Sequence, residues 1–159
     1  LRTQPGGQNK QILLGEKKRG AEIGSGLLNA PGGKLEEADA SSLATCAVRE
    51  TQEEFGICLN QKELEAEGPA AVIIFFAGGV PDFEVYVFSA REFIGEPKET
   101  ESMYPPSWYD VANLPWERMH SSDKAWWDKI FRGERFSANV YYTGRGEGFE
   151  RIEIFELNP

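Results

Sequence analysis

The sequence predicts an α+β (α/β) domain in which a mixed β-sheet is held between two helices. Two observations carry this expectation. Helical periodicity appears over about Ser42 to Phe55 and again over Ser121 to Phe131. Around these segments lie short β-branched and aromatic runs separated by glycine-rich turns. At 159 residues, with no internal repeat and no linker, the chain suits one compact domain over residues 1–159.

Each element has its own signal. Gln11 to Gly15 reads as a short strand, and Gly20 to Gly33 as a glycine-rich connection. In the first helix Leu43, Ala44, Ala47, Val48, Thr51 and Phe55 recur at spacings of three and four, which gives one buried stripe. Ser41 or Ser42 can cap its start, and Gly56 stands where a left-handed turn ends a helix. Ala70 to Ala77 and Phe83 to Ala90 form a hairpin across Gly78-Gly79-Val80-Pro81-Asp82. Trp108-Tyr109 begins a further strand. Ser121 to Phe131 reads as a helix with Trp126, Trp127 and Ile130 on or near its inner face. Ser137 to Tyr142 and Arg151 to Glu156 alternate well and close a last hairpin over Gly144 to Gly148.

Composition narrows the function. A net charge of −9 argues against a surface built to coat nucleic acid. An acidic protein can still bind a nucleotide when a metal bridges the two anions. Cys46 and Cys58 lie in no metal-binding spacing, so reduced thiols in a cytoplasmic setting are expected. No segment is long and apolar enough to span a membrane, and no export signal is recognisable. The chain begins at Leu1 without an initiator methionine, so a trimmed or altered N-terminus is expected. A monomer is the expected state.

The chemistry concentrates in one stretch. Gly32-Gly33 leads into the first helix, which carries Glu50, Glu53 and Glu54 and stops at Gly56. At spacings of three and four the carboxylates share one edge, away from the apolar stripe. Like charges so close disfavour the bare helix, and a hard cation with oxygen ligands, Mg²⁺ or Mn²⁺, removes that penalty. Arg49, four residues before Glu53, can brace the cluster without entering it. Such charge runs are common on solvated helices. The glycine pair favours a metal site, because it lets backbone approach an ion closely.

These residues resemble the signature box of the Nudix hydrolases, G-x5-E-x7-R-E-U-x-E-E-x-G-U, with U a bulky apolar residue. Gly33, Arg49, Glu50, Glu53, Glu54, Gly56 and Ile57 match. Asp39 stands where the first glutamate is expected, with nine residues between it and Arg49 instead of seven, and Thr51 occupies a U position. The longer interval bears on the salt bridge that this acid normally makes with the arginine. Leu13 to Gly20, Asn29, Pro106 to Asp110, Leu114 to Trp116, Met119, Asp123, Trp126-Trp127 and Phe136 to Val140 follow the order of the MutT-homologue branch, which hydrolyses oxidised purine nucleoside triphosphates. The resemblance runs from about Gln11 to Phe155 and implies an α/β/α sandwich.

It also implies a reaction: metal-dependent hydrolysis of a nucleoside triphosphate such as 8-oxo-dGTP to the monophosphate and pyrophosphate. Glu50, Glu53 and Glu54 are the expected metal ligands, with the Gly33 carbonyl beside them. Glu53 or Glu54 is the expected general base. A further glutamate ligand is expected before the Trp108 strand; strict spacing places Met103 there, so Glu101 is expected through a small loop shift, with Glu99 or a water as alternatives. Lys17 and Arg19 either reach phosphate oxygens or form a basic surface turn, and the family position favours Lys17 for phosphate.

For the base, Asn29 matches the asparagine of that branch, and Asp123 matches the second of its paired aspartates, with Ser122 in the first place. His120 stands where a stacking tryptophan is expected and is either a stacked ring or an ordinary residue leading into the helix. Phe83, Trp126 and Trp127 either line the base pocket or pack in the core. Two other function classes stand beside this one. A Nudix pyrophosphatase could act on ADP-ribose, a sugar nucleotide, a dinucleoside polyphosphate or coenzyme A. A non-catalytic nucleotide-binding module would have lost one or more of the glutamates that are intact here.

Overall fold

A computed structural model describes residues 1–3, 9–20, 23–40 and 42–156. The strands are β1 (Arg2–Thr3), β2 (Lys10–Glu16), β3 (Leu28–Asn29), β4 (Ala71–Ala77), β5 (Val80–Val87), β6 (Ser107–Asp110), β7 (Phe136–Gly144) and β8 (Glu147–Glu156). The helices are α1 (Leu43–Phe55), α2 (Gln61–Glu67) and α3 (Trp127–Arg132). Strands are arranged in two sheets, not the single one expected. One is mixed, with order β5-β4-β7-β8 and β4 parallel to β7; the other is antiparallel and centres on β2, which pairs with β1, β3 and β6. No helix among the described residues is long and apolar enough to cross a membrane.

Three further departures from the expected elements have physical causes. The β4–β5 hairpin turns tightly over Gly78 and Gly79, both at positive φ, so β5 begins at Val80, and Pro81 is accommodated where the register shifts beside Phe76. The expected helix over Ser121 to Phe131 is broken into a 3-10 turn at Asp123–Ala125 and a short α3, with Trp126 at φ −136° between them. Adjacent positions on a continuous helix point about 100° apart and cannot both face one core. The break lets Trp126 and Trp127, with rings 5.2 Å apart, both turn inward. Finally α2, seven residues with one buried apolar position (Leu64), was not expected. Asn60 caps it by accepting the Lys62 N–H.

The larger core lies between the mixed sheet, α3 and one side of β2, where Ile12 and Leu14 meet Ile73, Trp127, Phe136 and Val140. The smaller core takes Leu13 from the other side of β2 and joins it to Phe55 and Ile57 at the end of α1 and to Met103. Alternation along one strand thus binds α1 to the rest of the molecule. Gly15 makes the approach possible: a Cβ there would lie 2.9 Å from a Phe55 ring carbon and 3.4 Å from Met103 Sδ. Gly15→Ala should therefore destabilise the protein by about 1–3 kcal/mol through overpacking. An unchanged denaturation midpoint would show that Phe55 can move aside.

Candidate active site

The first helix forms as its sequence requires. Ser42 Oγ accepts the Thr45 N–H at 3.2 Å, and Gly56 ends the helix at φ 72°. Ser41, the alternative cap, lies outside the described residues. The acidic residues do not all share one solvated edge, however. Glu50 and Glu54 are buried beside Thr51 and Phe55, and only Glu53 is exposed. Burial is achieved against the glycine loop. Glu54 accepts the Gly32 N–H at 3.0 Å, and Lys17 Nζ lies 3.7 Å from its other oxygen. Burial pushes the Glu54 pKa up, while the Gly32 N–H and Lys17 oppose that rise. Gly33 runs so close to Glu50 that any Cβ would collide with its carboxylate.

Arg49 enters the cluster instead of bracing it from outside. Its Nη1 donates to Glu50 at 2.8 Å and to the exposed Glu53 at 3.1 Å. Its Nε and Nη2 donate to the two oxygens of Asp39 at 3.0 and 2.9 Å, and Nη2 also reaches the Lys34 carbonyl. The longer interval therefore keeps the loop-to-helix salt bridge. Asp39 closes a 3-10 turn over Glu37–Asp39, accepts the Glu36 N–H, and is followed by Ala40 in the left-handed region. The Arg49 guanidinium holds the Asp39 carboxyl down at about 2. Among the described residues no ready-made group of three or more acidic, histidine or cysteine side chains converges as for a metal; Glu50 and Glu53 are bonded to Arg49. Cys46, buried close by, and exposed Cys58 are free thiols.

The loop before β6 is pinned to the same helix: Thr100 Oγ1 donates to the Glu54 carbonyl at 2.9 Å. Met103 fills the position that strict spacing assigns, fully buried against Phe55 and Leu13. Glu101 is exposed at the turn, and among the described residues it makes no hydrogen bond or ion pair with Glu50, Glu53 or Glu54. Glu99 pairs with Lys18 at 2.7 Å. Arg19 is exposed.

A second group includes His120, on which the charge of Lys17 acts. His120 is half-buried, and burial together with Lys17 lowers its pKa. Asn29 Nδ2 and His120 Nε2 both lie beside Gly24. Asp123 is buried, and burial pushes its carboxyl up to about 7, against the opposing influence of the Trp127 indole and the His120 backbone N–H. Trp127 Nε1 is nonetheless not aligned for a hydrogen bond, and Trp126 Nε1 is equally unpartnered. Ser122 is fixed by Tyr142, whose hydroxyl lies 2.8 Å from Ser122 Oγ. Tyr142 stacks on Phe75, and Phe75 on Phe83 at 4.8 Å. Trp126 and Trp127 belong to the core. The clefts beside α2, one lined by Asn60, Glu63, Glu67 and Arg91, take in none of these residues.

Asp123 gives a pH dependence of known sign. Its folded pKa exceeds the unfolded one, so the folded state holds the extra proton between about pH 4 and 7. Stability should fall as pH rises through that window, at up to about 1.4 kcal/mol per unit. Asp123→Asn should remove this slope, so that the variant gains on the wild type from pH 5 to pH 8 in thermal melts. Parallel curves for the two proteins would contradict the assignment.

Sequence reasoning had not singled out Gly24, the Gly32 N–H or Tyr142. The glycine-rich connection was the signal for the first two, because glycines there leave backbone and side chains in direct contact.

A buried pair of glutamates against a Gly-Gly loop, tied by an arginine to a preceding acid, defines a class. The NUDIX domain model matches residues 3–131. The chain belongs to the Nudix hydrolases, in their MutT-like group. It is 31% identical over 144 residues to the oxidized purine nucleoside triphosphate hydrolase of Danio rerio, covering 91% of this chain and 84% of that protein. With the protein of the same name from Mus musculus it shares 31% over 135 residues, or 85% of this chain and 81% of the other. Among solved structures, a MutT protein from Bacillus halodurans superposes with a TM-score of 0.67 at 22% identity, covering 91% of this chain and 89% of that one. A MutT NUDIX hydrolase from Burkholderia pseudomallei gives 0.55 at 27% identity, covering 72% and 84%.

Proposed function

We propose that the protein hydrolyses oxidised purine nucleoside triphosphates, such as 8-oxo-dGTP, to the monophosphate and pyrophosphate, in the cytoplasmic nucleotide pool. The observation that carries this reading is Lys17, whose Nζ is 3.7 Å from Glu54 and whose charge acts on His120. It thereby links two groups. Glu50, Glu53, Glu54 and the Gly32-Gly33 backbone suit a polyphosphate with its cation, and Asn29, His120 and Asp123 suit a base. The names of the relatives from Danio rerio and Mus musculus support the substrate class.

The donors fit a hard divalent ion. All are oxygens, and the close passage of Gly33 past Glu50 is a cradle that any side chain would fill. Glu50, Glu53, Glu54 and the Gly33 carbonyl would hold Mg²⁺ or Mn²⁺; Glu101 would need the loop before β6 to move to join them. When bound, such an ion would supply charge neutralisation at the phosphates and acidify a bound water. Lys17 places a cation on a phosphate oxygen. Arg49 orients Glu50 and Glu53 through its two short hydrogen bonds. Glu53 or Glu54 takes the proton from the attacking water, and Glu54 has the more desolvated position. At the base, Asp123 with a pKa of about 7 is available near neutral pH as either hydrogen-bond donor or acceptor. Ser122, committed to Tyr142, leaves it as the single carboxyl there.

The test is pyrophosphate release with Mg²⁺ from 8-oxo-dGTP, 2-hydroxy-dATP, dGTP, ADP-ribose and diadenosine polyphosphates, with Glu53→Gln as control. Selective turnover of an oxidised purine triphosphate, lost in the variant, is expected. Preference for ADP-ribose or a dinucleotide would sink the substrate assignment and keep the hydrolase. No turnover at all would favour a binding module.

A further inference from the structure

Lys17 and Lys18 both bear on Glu54, by different routes. Lys17 Nζ lies 3.7 Å from its carboxylate. Lys18 reaches it through the loop before β6. Its Nζ donates to the Thr100 carbonyl at 2.7 Å, pairs with Glu99 at 2.7 Å and stands 5.4 Å from the centre of the Tyr104 ring. Its backbone N–H donates to the Ser102 carbonyl at 2.8 Å, and beside it the Tyr104 N–H donates to the Glu16 carbonyl at 3.0 Å. The loop in turn closes the end of α1. Thr100 Oγ1 donates to the Glu54 carbonyl and accepts the Met103 N–H at 3.3 Å, and the Lys98 N–H donates to the Phe55 carbonyl at 3.1 Å. These are carbonyls that a helix leaves without partners at its C-terminus. Lys18 is half-buried, and an ammonium committed to one loop has lost rotamer freedom that a solvated lysine keeps.

We propose that Lys18 is a positioning residue for Glu54: it clamps the segment from Glu99 to Tyr104 onto the end of β2, and through Thr100 it fixes the main chain from which the Glu54 side chain projects. The proposal rests on the active-site reading above, in which Glu54 holds the cation or takes the proton, and it adds a residue that touches neither. Two features separate Lys18 from a phosphate-binding cation. Its ammonium is committed to Glu99 and the Thr100 carbonyl, whereas Lys17 faces the Glu54 carboxylate itself. The loop it holds is also anchored from inside, because Met103 is fully buried against Phe55 and Leu13. The segment therefore sits as one piece between β2 and the end of α1. Groups that orient a metal ligand from outside commonly change affinity or rate by about 10–100-fold when removed.

The experiment compares Lys18→Met, Lys18→Arg, Thr100→Val and the double variant Lys18→Met/Thr100→Val. Its readouts are calorimetry with Mn²⁺ alone, steady-state pyrophosphate release from 8-oxo-dGTP with Mg²⁺, and amide hydrogen exchange in the metal-free protein. Lys18→Met should bind Mn²⁺ about tenfold more weakly and lower kcat about tenfold, with KM for the nucleotide within about twofold of the wild type. Lys18→Arg, which keeps donors for Glu99 and for the Thr100 carbonyl, should restore both to within about threefold. Because the effect passes through the Thr100 hydroxyl, the double variant should be no worse than Lys18→Met. Exchange of the Gly32 N–H, whose partner is the Glu54 carboxylate, should quicken about tenfold in Lys18→Met while the Val140 N–H in β7 keeps its rate. Equal quickening of both amides would overturn the proposal in favour of general loosening of the fold. Penalties that multiply in the double variant would overturn the route through Thr100. A raised KM with kcat and Mn²⁺ binding unchanged would overturn it in favour of a direct phosphate contact. If the wild type turns over no nucleotide, the proposed activity fails, and the Gly32 exchange rate, which needs neither metal nor substrate, still decides the clamp: unchanged exchange in Lys18→Met overturns it.

Discussion

Arg49→Ala is expected to lower the melting temperature by on the order of 10 °C and to abolish measurable pyrophosphate release. The reason is the position of one side chain between two parts of the chain. Arg49 holds Asp39, which has almost no exposed surface, and at the same time separates Glu50 from Glu53. Without the guanidinium a carboxylate stays buried with only the Glu36 N–H, and neighbouring glutamates repel. Arg49→Lys should recover part of the stability but not the paired contact with both Asp39 oxygens, since an ammonium lacks the planar fork. The sign of the pH effect follows from Asp39. Its folded pKa of about 2 lies below the unfolded value, so its contribution is complete above about pH 4 and is lost as pH falls towards 2. The melting-temperature gap between wild type and Arg49→Ala should therefore be widest near neutrality and narrow in acid. A gap that persists unchanged at pH 2 would show that the aliphatic part of Arg49, not its charge, is what the fold uses.

Glu54→Gln should reduce kcat by on the order of 10³-fold while leaving the fold intact. Glutamine can still accept the Gly32 N–H, so the loop keeps its anchor. It cannot take a proton from water or offer a charged ligand. Steady-state pyrophosphate release at varied Mg²⁺ separates the roles. A raised half-saturating metal concentration marks a ligand, and a lowered kcat at saturating metal marks a base. A fall of less than tenfold in both would move the burden to Glu53, which is the more exposed of the two and bonded to Arg49.

Much of this was legible from residue order, and what was not has identifiable causes. The periodicity and caps of α1 located that helix to within one residue, because an apolar stripe, a serine and a glycine all agree there. The pairing of β7 with β8 was legible for the same reason. Local pattern failed where tertiary contacts decide. Helix α2 has too few apolar positions to announce itself. The segment before α3 opens on Ser-Ser-Asp, which reads as a helix start, but two adjacent indoles had to share one core. At the site, residue types and spacing put the three glutamates on one helix edge, whereas the structure buries Glu50 and Glu54, because burial there depends on a loop that comes from elsewhere in the chain.

The link between Asp39 and Arg49 has a consequence for how such chains are recognised. Contact is made from a single 3-10 turn whose last residue is followed by Ala40 at φ 49°. That geometry brings the acid back to the helix across the nine intervening residues present here. A search that fixes the interval would pass over proteins of this kind, although the partners still meet. The quantity under constraint is the closure of the loop onto α1, and closing a slightly longer loop costs only tenths of a kcal/mol in chain entropy, roughly (3/2)RT times the logarithm of the length ratio. Insertions in this segment should therefore be common among active relatives, provided that an acid remains at the end of the turn.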